Sequence, residues 1–174
     1  FDAPPVMLMG HDPRYAGPRI EALGYAKAKD LIAYMYDIDH ELPAAARRKI
    51  DSRKATALTV RRLDMQRYRE EFDTVTAIFN DAWASNWRFE PLTAADTDHL
   101  AKAMRPILNE KLVWFVDVDG EPAGFGVCLP NINEAIADLD GKLLPFGWAK
   151  LLWRLKVKGV KSARVPLMGV RRKY

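Results

Sequence analysis

The sequence predicts an α/β protein in which strand-like segments alternate with amphipathic helices. Residues 65–84 carry apolar side chains at spacings of three and four, the repeat of a helix with one buried face. The apolar runs LVWFVDV and EPAGFGVCL flank Asp119-Gly120, the residue pair that most readily forms a type I′ turn, which indicates a β-hairpin. Further strand patterns lie before the long helix and at ARVPLMGV, so both kinds of element belong to one chain.

The composition is that of a folded protein. Of the 174 residues, 49% are hydrophobic and 10% aromatic, which suffices for one domain or for one domain plus part of another. No apolar run approaches the length of about 18 residues that a membrane-spanning helix needs, and the first residues do not form a signal peptide, so we expect a cytoplasmic protein. The single cysteine, Cys128, lies in an apolar run and is interpreted as a buried structural thiol rather than a nucleophile.

The net charge of +4 is unevenly distributed. Ten Lys and Arg residues and no Asp or Glu follow Asp140, whereas residues 1–140 hold 17 cations against 23 acids, a net charge of −6. This polarity favours an anionic partner for the C-terminal part: a phosphorylated cofactor, a membrane surface or nucleic acid. The alternative is a merely solvated basic face. No nucleic-acid-binding motif is present, so we expect no nucleic-acid partner.

Residues 1–40 predict the order strand, helix, strand. PPVMLMG forms the first strand, and the helix begins after Asp12-Pro13, with Asp12 as its N-cap, and ends at Gly24. Residues 27–38 predict the second strand, because the successive positions 31–36 are all apolar, which is typical of a strand covered on both faces. Residues 41–55 predict a linker with a short helix, because Ala, Arg and Lys dominate and the apolar period is weak.

Residues 56–174 predict a second unit with the order strand, helix, helix, hairpin, helix, strand. Asp64 is placed to cap the long helix, and Thr93 begins a second helix with Asp96 at the capping-box position. Pro106 ends that second helix. A short helix and a basic, Trp-bearing helix separate the hairpin from the last strand.

The second unit resembles the GNAT superfamily of acetyl-CoA-dependent N-acetyltransferases. The order of its elements, the hairpin V-D-G-E-P-A-G-F and the terminal Val170-Arg171-Arg172-Lys173-Tyr174, which matches the family's V-x-x-x-Y segment, carry the resemblance. In that family a glycine-rich Q/R-x-x-G-x-G/A loop follows this segment. The resemblance therefore implies a chain that is cut before its cofactor loop.

Residues 1–40 also resemble part of such a domain, namely its closing helix and strand. Asp12-Pro13 stands for the family's N-P, and Leu23-Gly24-Tyr25 stands for its L-G-F. The whole chain is similar to the middle of bacterial, uncharacterised tandem GNAT-like proteins. The resemblance implies that residues 1–40 close a first domain, that 41–55 form a linker and that 56–174 begin a second domain.

The resemblance implies a fold and an activity. The fold is a mixed, mostly antiparallel sheet flanked by helices on both faces and incomplete at its C-terminal end. The activity is transfer of an acetyl group from acetyl-CoA to an unidentified amine, on a small molecule or a peptide, without a metal ion. Two alternatives stay open: a non-catalytic, degenerate GNAT-like module, and a basic module that binds an anionic membrane surface.

The same resemblance places the acetyl-CoA site on the last strand. The strand's main chain would contact the pantetheine arm, and the cations after it, Lys173 included, would lie where the phosphates arrive. The predicted cofactor-binding residues are Leu167, Met168, Gly169, Val170, Arg171 and Arg172. Leu167 and Val170 can also pack in the core, and the two interpretations are compatible.

The segment FNDAWASNWRFEPLT is the predicted amine-binding site, since it joins the two helices between which the resembled fold holds its acceptor. It combines polar amides with flat aromatic side chains, as small-molecule sites do. The predicted substrate-binding residues are Asn80, Trp83, Asn86, Trp87 and Phe89. Alternatively, Trp83 and Trp87 cover the core at a helix end. The family's general base varies, and the candidates here are Glu90 and Glu134.

Three further features bear on possible sites and partners: the histidines, a basic Trp-bearing segment and an unpaired sheet edge. The three histidines are too scattered for a metal or a Cys–His site. FGWAKLLWRLKVKGVK (146–161) has the composition of a membrane-interfacial helix, but its apolar residues are spread around the helix, which favours a lid or packing role. An unpaired sheet edge favours a homodimer, or docking of residues 27–38 on that edge.

Overall fold

The computed structural model describes residues 4–52, 58–106 and 108–174. Contacts among them divide the chain into two units: residues 10–52 belong to the first, and residues 4–9 with those from 58 onward belong to the second. Residues 1–3, the last three residues of the predicted linker and the first two of the predicted second domain lie outside the described part. The tandem-domain division stays a prediction.

The first unit contains two short helices, α1 (Ala16–Ala22) and α2 (Ala44–Ser52). Gly24 follows α1 with φ of 87°, a left-handed conformation that glycine adopts without steric cost, so the predicted helix end is confirmed. The predicted start is wrong, because Tyr15 precedes α1 without a side-chain cap and Asp12 lies outside the helix. Helix α2 lies entirely within residues 41–55, where the sequence predicts a short helix.

The strand predicted over residues 27–38 is absent. Residues 25–37 have no regular structure, and Leu31, Tyr34 and Met35 are 86–95% exposed. A strand needs a hydrogen-bonded partner and a covered face, and the described part of the first unit gives this segment neither. Its apolar composition predicted a burial that its surroundings do not supply.

The strand predicted at PPVMLMG is also absent, because residues 4–9 form a loop of the second unit. Asn133 Nδ2 donates a hydrogen bond to Pro5 O (2.7 Å), and Arg164 Nη1 donates one to Met7 O (2.8 Å). The Met7 side chain packs against the core. Side chains, rather than a neighbouring strand, therefore satisfy this backbone.

The second unit contains a four-stranded antiparallel sheet. The strands lie side by side in the order β1 (Leu58–Arg62), β2 (Val113–Val118), β3 (Glu121–Pro130) and β4 (Ala163–Val170). Asp119 and Gly120 join β2 to β3 with φ of 51° and 83°, as a type I′ turn requires. The predicted hairpin is confirmed, and the combination of this sheet with helices confirms the α/β class.

In the described part of the second unit, four α-helices accompany the sheet. They are α3 (Tyr68–Trp83), which follows a 3₁₀ turn (Met65–Arg67), α4 (Ala94–Met104), α5 (Ile132–Ile136) and α6 (Gly147–Trp153), which continues into a π-helical turn (Arg154–Lys158). Both predicted caps are confirmed. Asp64 Oδ1 accepts a hydrogen bond from Gln66 N in the 3₁₀ turn before α3 (2.8 Å), and Thr93 and Asp96 exchange the two bonds of a capping box before α4.

Helix α3 lies on one face of the sheet, against β3 and β4. Ile78 of α3 and Phe115 of β2 are fully buried between them. On the opposite face, Trp114 and Met168 are 38% and 60% exposed. This packing places the last turn of α3 beside the end of β4.

Candidate functional site

The C-terminal end of α3 is hydrogen-bonded to the end of β4. Trp83 Nε1 donates to Met168 O (2.9 Å), and Asp81 Oδ2 accepts from Arg172 N (2.8 Å). We call this contact, made by Asp81, Trp83, Met168 and Arg172, the helix–strand junction. It brings the predicted amine-binding segment against the predicted cofactor-binding strand.

The strand β4 forms an edge of the sheet, so half of its main-chain groups face away from β3. Arg171 N donates to Ala123 O on the β3 side (2.8 Å). Because an antiparallel strand bonds the same neighbour only at every second residue, Gly169 also faces β3, whereas Met168 and Val170 face the open edge. The side chains of α3 occupy this edge on both sides of Val170, at Met168 and at residue 172.

Gly169 lets α3 approach β4 closely. A Cβ atom at this position would lie 3.2 Å from Ala82 Cβ and 3.2 Å from Phe125 Cε1, closer than carbon atoms pack. The separation of helix and strand at the junction therefore depends on the absence of a side chain at residue 169.

Three aromatic rings line the helix side of the junction. The Phe79 ring lies 5.2 Å from Trp83 and 5.3 Å from Phe89, measured between centroids. Asn80 closes the loop beneath them, since its Nδ2 donates to Leu92 O and its Oδ1 accepts from Leu92 N, both at 2.9 Å. Trp83, Phe89 and Asn80 are thus held in place, and both polar atoms of Asn80 already bond the loop.

The other two predicted substrate-binding residues lie at the surface. Asn86 is exposed in the turn after α3, and the Trp87 side chain is 57% exposed, with Arg88 5.7 Å from the centre of its ring. The alternative interpretation, in which Trp87 covers the core, is therefore wrong. The half-buried Trp83 meets β4 instead.

The cations after β4 are bonded to the hairpin. Arg171 Nε donates to Pro122 O (2.8 Å), and Lys173 Nζ pairs with Glu121. That hydrogen bond raises the pKa of Lys173 and lowers the pKa of Glu121. A phosphate that reached these residues would compete with protein partners for both side chains. Arg172 is exposed, and its amide is the group that bonds α3.

Leu167 and Val170 of β4 were both expected to be able to pack in the core, and the structure treats them differently. Leu167 packs against the core, as expected. The Val170 side chain is 56% exposed, so the expectation that it packs in the core is wrong. The difference follows from the alternation of the strand, which turns Leu167 toward α3 and Val170 toward the other face.

The two candidate bases are not at the junction itself. Glu90 is exposed in the loop between α3 and α4. The Glu134 carboxylate accepts hydrogen bonds from Lys161 N (2.7 Å), Ser162 N (3.1 Å) and Ser162 Oγ (2.9 Å). These bonds, that from Lys161 N first, lower the pKa of Glu134. The Glu134 carboxylate lies beside the start of β4, whereas the junction lies at the end of that strand. The three hydrogen bonds hold the residues before β4 in place, which is a structural role.

Sequence reasoning missed a charged cluster where α3 crosses β1 and β2. Arg61 Nη1 donates to both carboxylate oxygens of Glu71 (2.8 and 2.9 Å), and Arg61 Nε donates to Asp117 Oδ2 (2.9 Å). Glu71 is only 3% exposed. Burial by itself would lower the pKa of Arg61, but the bonds to Glu71 and Asp117 raise it. The cluster lines a cavity of about 410 Å³ whose lining includes no junction residue.

Neither a metal nor a reactive thiol is indicated by the described residues. Among them, no three His, Cys, Asp or Glu side chains are grouped closely enough to hold a metal ion. Cys128 is half-buried, and burial raises the pKa of its thiol, which makes it a poor nucleophile.

The basic, Trp-bearing segment is not packed away. Phe146, Trp148, Leu152 and Trp153 are 47–77% exposed, so the packing role expected for residues 146–161 is wrong for these side chains. The apolar residues are scattered because they do not belong to one regular α-helix. They are divided among a turn, the seven-residue α6 and the π-helical turn that follows it. No helix in the described part of the chain has the length and apolar character needed to cross a bilayer.

Comparison with known proteins finds two relatives along the entire chain. Over all 174 residues it is 59% identical to a protein of Caulobacter vibrioides named bacterial ceramide synthase and 42% identical to the Escherichia coli protein YghO. The chain spans 45% of the length of each. No protein-family profile matches it.

Among solved structures, an apo-form mutant of an agmatine N-acetyltransferase shows a partial similarity. The alignment covers 67% of this chain and 61% of that one, with 15% identity and a TM-score of 0.36. That degree of similarity is too low to assign a fold family or a function.

Proposed function

We propose that this chain forms part of an N-acyltransferase, which joins the acyl group of a coenzyme A thioester to an amine. The observation that carries the proposal is the 59% identity, over every residue of the chain, to a protein named bacterial ceramide synthase. A ceramide is the amide of a fatty acid and a long-chain amino alcohol, so its synthesis from an activated acid forms one amide bond.

The reaction makes limited demands on side chains. The amine nitrogen attacks the thioester carbonyl carbon, the C–N bond forms, the C–S bond breaks, and the nitrogen loses a proton as the thiol leaves. Negative charge develops on the carbonyl oxygen, and hydrogen-bond donors placed there lower the barrier. Main-chain N–H groups can serve as such donors, and no metal ion is required.

The helix–strand junction supports this chemistry. Between the two α3 contacts, the main-chain groups of Val170 face the edge of β4, where an amide-rich pantetheine arm can bond a strand. Trp83 holds Met168 O in place from the helix side. The adjoining aromatic rings of Phe79 and Phe89 offer an apolar wall for an acyl chain or an acceptor.

The name of the 59% identical relative, bacterial ceramide synthase, favours one class of acceptor. The family resemblance implies an amine acceptor on either a peptide or a small molecule. In this proposal the acceptor is a small molecule, namely a long-chain amino alcohol. The donor is acetyl-CoA or a longer acyl-CoA. The exposed residues Asn86 and Trp87, at the mouth of the loop after α3, are proposed to contact the acceptor.

The test is acyl transfer by the protein that contains this chain. Free CoA thiol and the amide product are measured with acetyl-CoA and with a long-chain acyl-CoA, each combined with a long-chain amino alcohol or with a peptide amine. We expect turnover with the amino alcohol. If no donor releases thiol above the rate of an enzyme-free blank, the proposal is wrong.

A paired substitution assigns the activity to the junction. Trp83→Phe keeps an aromatic ring and removes the donor to Met168 O, and we expect kcat/KM to fall about five- to tenfold, as for one lost hydrogen bond. The matched control is Trp114→Phe, on the opposite face of the sheet, which should leave kcat/KM within about twofold. Equal effects of the two variants would remove the junction from the mechanism.

A further inference from the structure

Residues 142–158 present an unusually apolar surface. We call this stretch, a turn followed by α6 and its π-helical turn, the basic–aromatic segment. Seven of its large apolar side chains are 46–81% exposed, whereas Leu151 and Leu155 are half-buried; the seven are Leu143, Leu144, Phe146, Trp148, Leu152, Trp153 and Val157. Contiguous exposed apolar surface of this kind marks a site of interaction with another molecule or with a membrane.

Cations surround these apolar side chains. Asp138, before the segment, pairs with Lys150 Nζ (2.6 Å) and with Arg154 Nη1 (2.5 Å). Lys142, Lys156 and Lys158 add positive charge that these pairs do not balance, and all three are exposed. No Asp or Glu lies between residue 141 and the end of the sequence.

Hydrogen bonds and close packing fix the backbone conformation of the basic–aromatic segment. Arg154 Nη1 also donates to Ala135 O (2.6 Å), which anchors the helix to α5, and Trp148 N donates to Leu143 O (2.9 Å). Gly147 closes the turn, since a Cβ there would lie 2.3 Å from Lys142 O. These contacts hold Leu144 and Phe146 at the outer side of the turn, where they are 81% and 77% exposed.

We propose that the basic–aromatic segment is a docking surface for an anionic phospholipid bilayer. Its Phe, Trp and Leu side chains enter the boundary between headgroups and acyl chains, and Lys142 and Lys158 bond the anionic headgroups, whereas Lys156 Nζ donates to Leu108 O (3.3 Å). Trp prefers this boundary because its ring is apolar and its N–H is polar. Lysines placed among the apolar residues suit a membrane surface, where their ammonium groups stay in water, and would be costly in a dry protein interface.

This inference does not depend on the proposed acyl transfer, because vesicle binding is measured without turnover. The purified chain is sedimented with vesicles of phosphatidylcholine alone, or with about one quarter phosphatidylglycerol, and the emission of its five tryptophans, Trp148 and Trp153 among them, is followed. We expect binding to the anionic vesicles, with a blue shift of the emission, and release as salt screens the headgroup charge. Failure to bind anionic vesicles at low salt would overturn the proposal, as would equal binding to neutral ones.

Substitutions locate the surface. Leu144→Glu with Phe146→Glu should weaken binding by about tenfold or more, because two apolar anchors become charged at an anionic surface. Lys142→Gln with Lys158→Gln should cost about fivefold for each cation removed. The matched control is Leu31→Glu, at an equally exposed leucine of the first unit (86%), and it should cost much less than the anchor pair.

Two further results would count against the membrane. Binding that the anchor pair does not change, or that Leu31→Glu weakens as much, would place the lipid contact elsewhere. Dimerisation without vesicle binding, reversed by Leu144→Glu and measured by light scattering, would assign the segment to a second copy of the chain. Circular dichroism establishes that each variant is folded, which is expected because the altered side chains are exposed.

Discussion

Replacement of Arg61 by Met tests whether the charged cluster holds α3 on the sheet. Arg61→Met removes three hydrogen bonds: two to the carboxylate of Glu71 and one to that of Asp117. Glu71 is 3% exposed, and the Asp117 side chain is 14% exposed. The variant therefore leaves two carboxylates with little access to water and without their cation.

The expected cost follows from that burial. Removing one partner of a buried ion pair costs about 3–5 kcal/mol, mainly because the remaining charge stays desolvated. We take the lower end, about 3 kcal/mol, since Arg61 itself keeps 31% exposure and water can enter its place. For a unit of this size the loss lowers the melting temperature by roughly 10–15 °C.

The assay is thermal and urea unfolding, with two further variants. Arg61→Met combined with Glu71→Leu removes the buried charge along with its partner and should recover about 2 kcal/mol of the loss. The control is Arg67→Met: Arg67 lines the same cavity, but its pair with Glu70 is exposed to solvent, so its loss should change stability much less than the loss of Arg61. The reasoning is refuted if Arg61→Met costs no more than Arg67→Met, or if the double variant is less stable than Arg61→Met.

Substitutions at three further residues test separate elements. Gly169→Ala should cost about 1–3 kcal/mol in unfolding experiments and lower kcat/KM, because its Cβ pushes α3 from β4 at the junction; an effect below about 0.5 kcal/mol would contradict the close packing. Thr93→Ala should cost about 1 kcal/mol through the lost capping box, whereas Thr93→Ser should retain most of it. The pKa of Glu134 is lower in the folded state, so its contribution to stability is present above its unfolded pKa of about 4.3 and is lost as the pH falls through the folded value. Glu134→Gln should therefore flatten the fall in melting temperature below about pH 4.5, and an unchanged acid profile would show that its hydrogen bonds do not stabilise the fold.

The candidate site was predictable in parts. Trp83 and Met168 were both expected in a site, for different ligands, but the hydrogen bond between them joins residues 85 positions apart in the chain. No local pattern encodes such a contact. Asn80 shows the reverse: its polarity predicted a ligand contact, and in the structure both of its polar atoms bond Leu92.

Exposure was the property that the sequence predicted least well. An apolar residue indicates burial only when another surface is available to cover it, and composition does not report that surface. Met35, 95% exposed, lies in a segment expected to form a covered strand, and Phe146, 77% exposed, lies in one expected to have a lid or packing role. Glu71 is the opposite case, a charged residue that is 3% exposed and whose carboxylate is paired by Arg61 from β1.

By itself the sequence determined the features of this protein whose physics is local. The Asp119-Gly120 turn, the end of α1 at Gly24 and the capping box of Thr93 depend on backbone sterics and on hydrogen bonds across a few residues, so any fold containing these segments would form them. Only the tertiary structure decided that residues 25–37 form no strand, that Arg61 neutralises Glu71 and that α3 meets the open edge of β4. Those outcomes depend on which surfaces lie beside one another in the folded unit. That arrangement is set by side chains far apart in the chain, because burial and charge pairing depend on the packing of the whole unit.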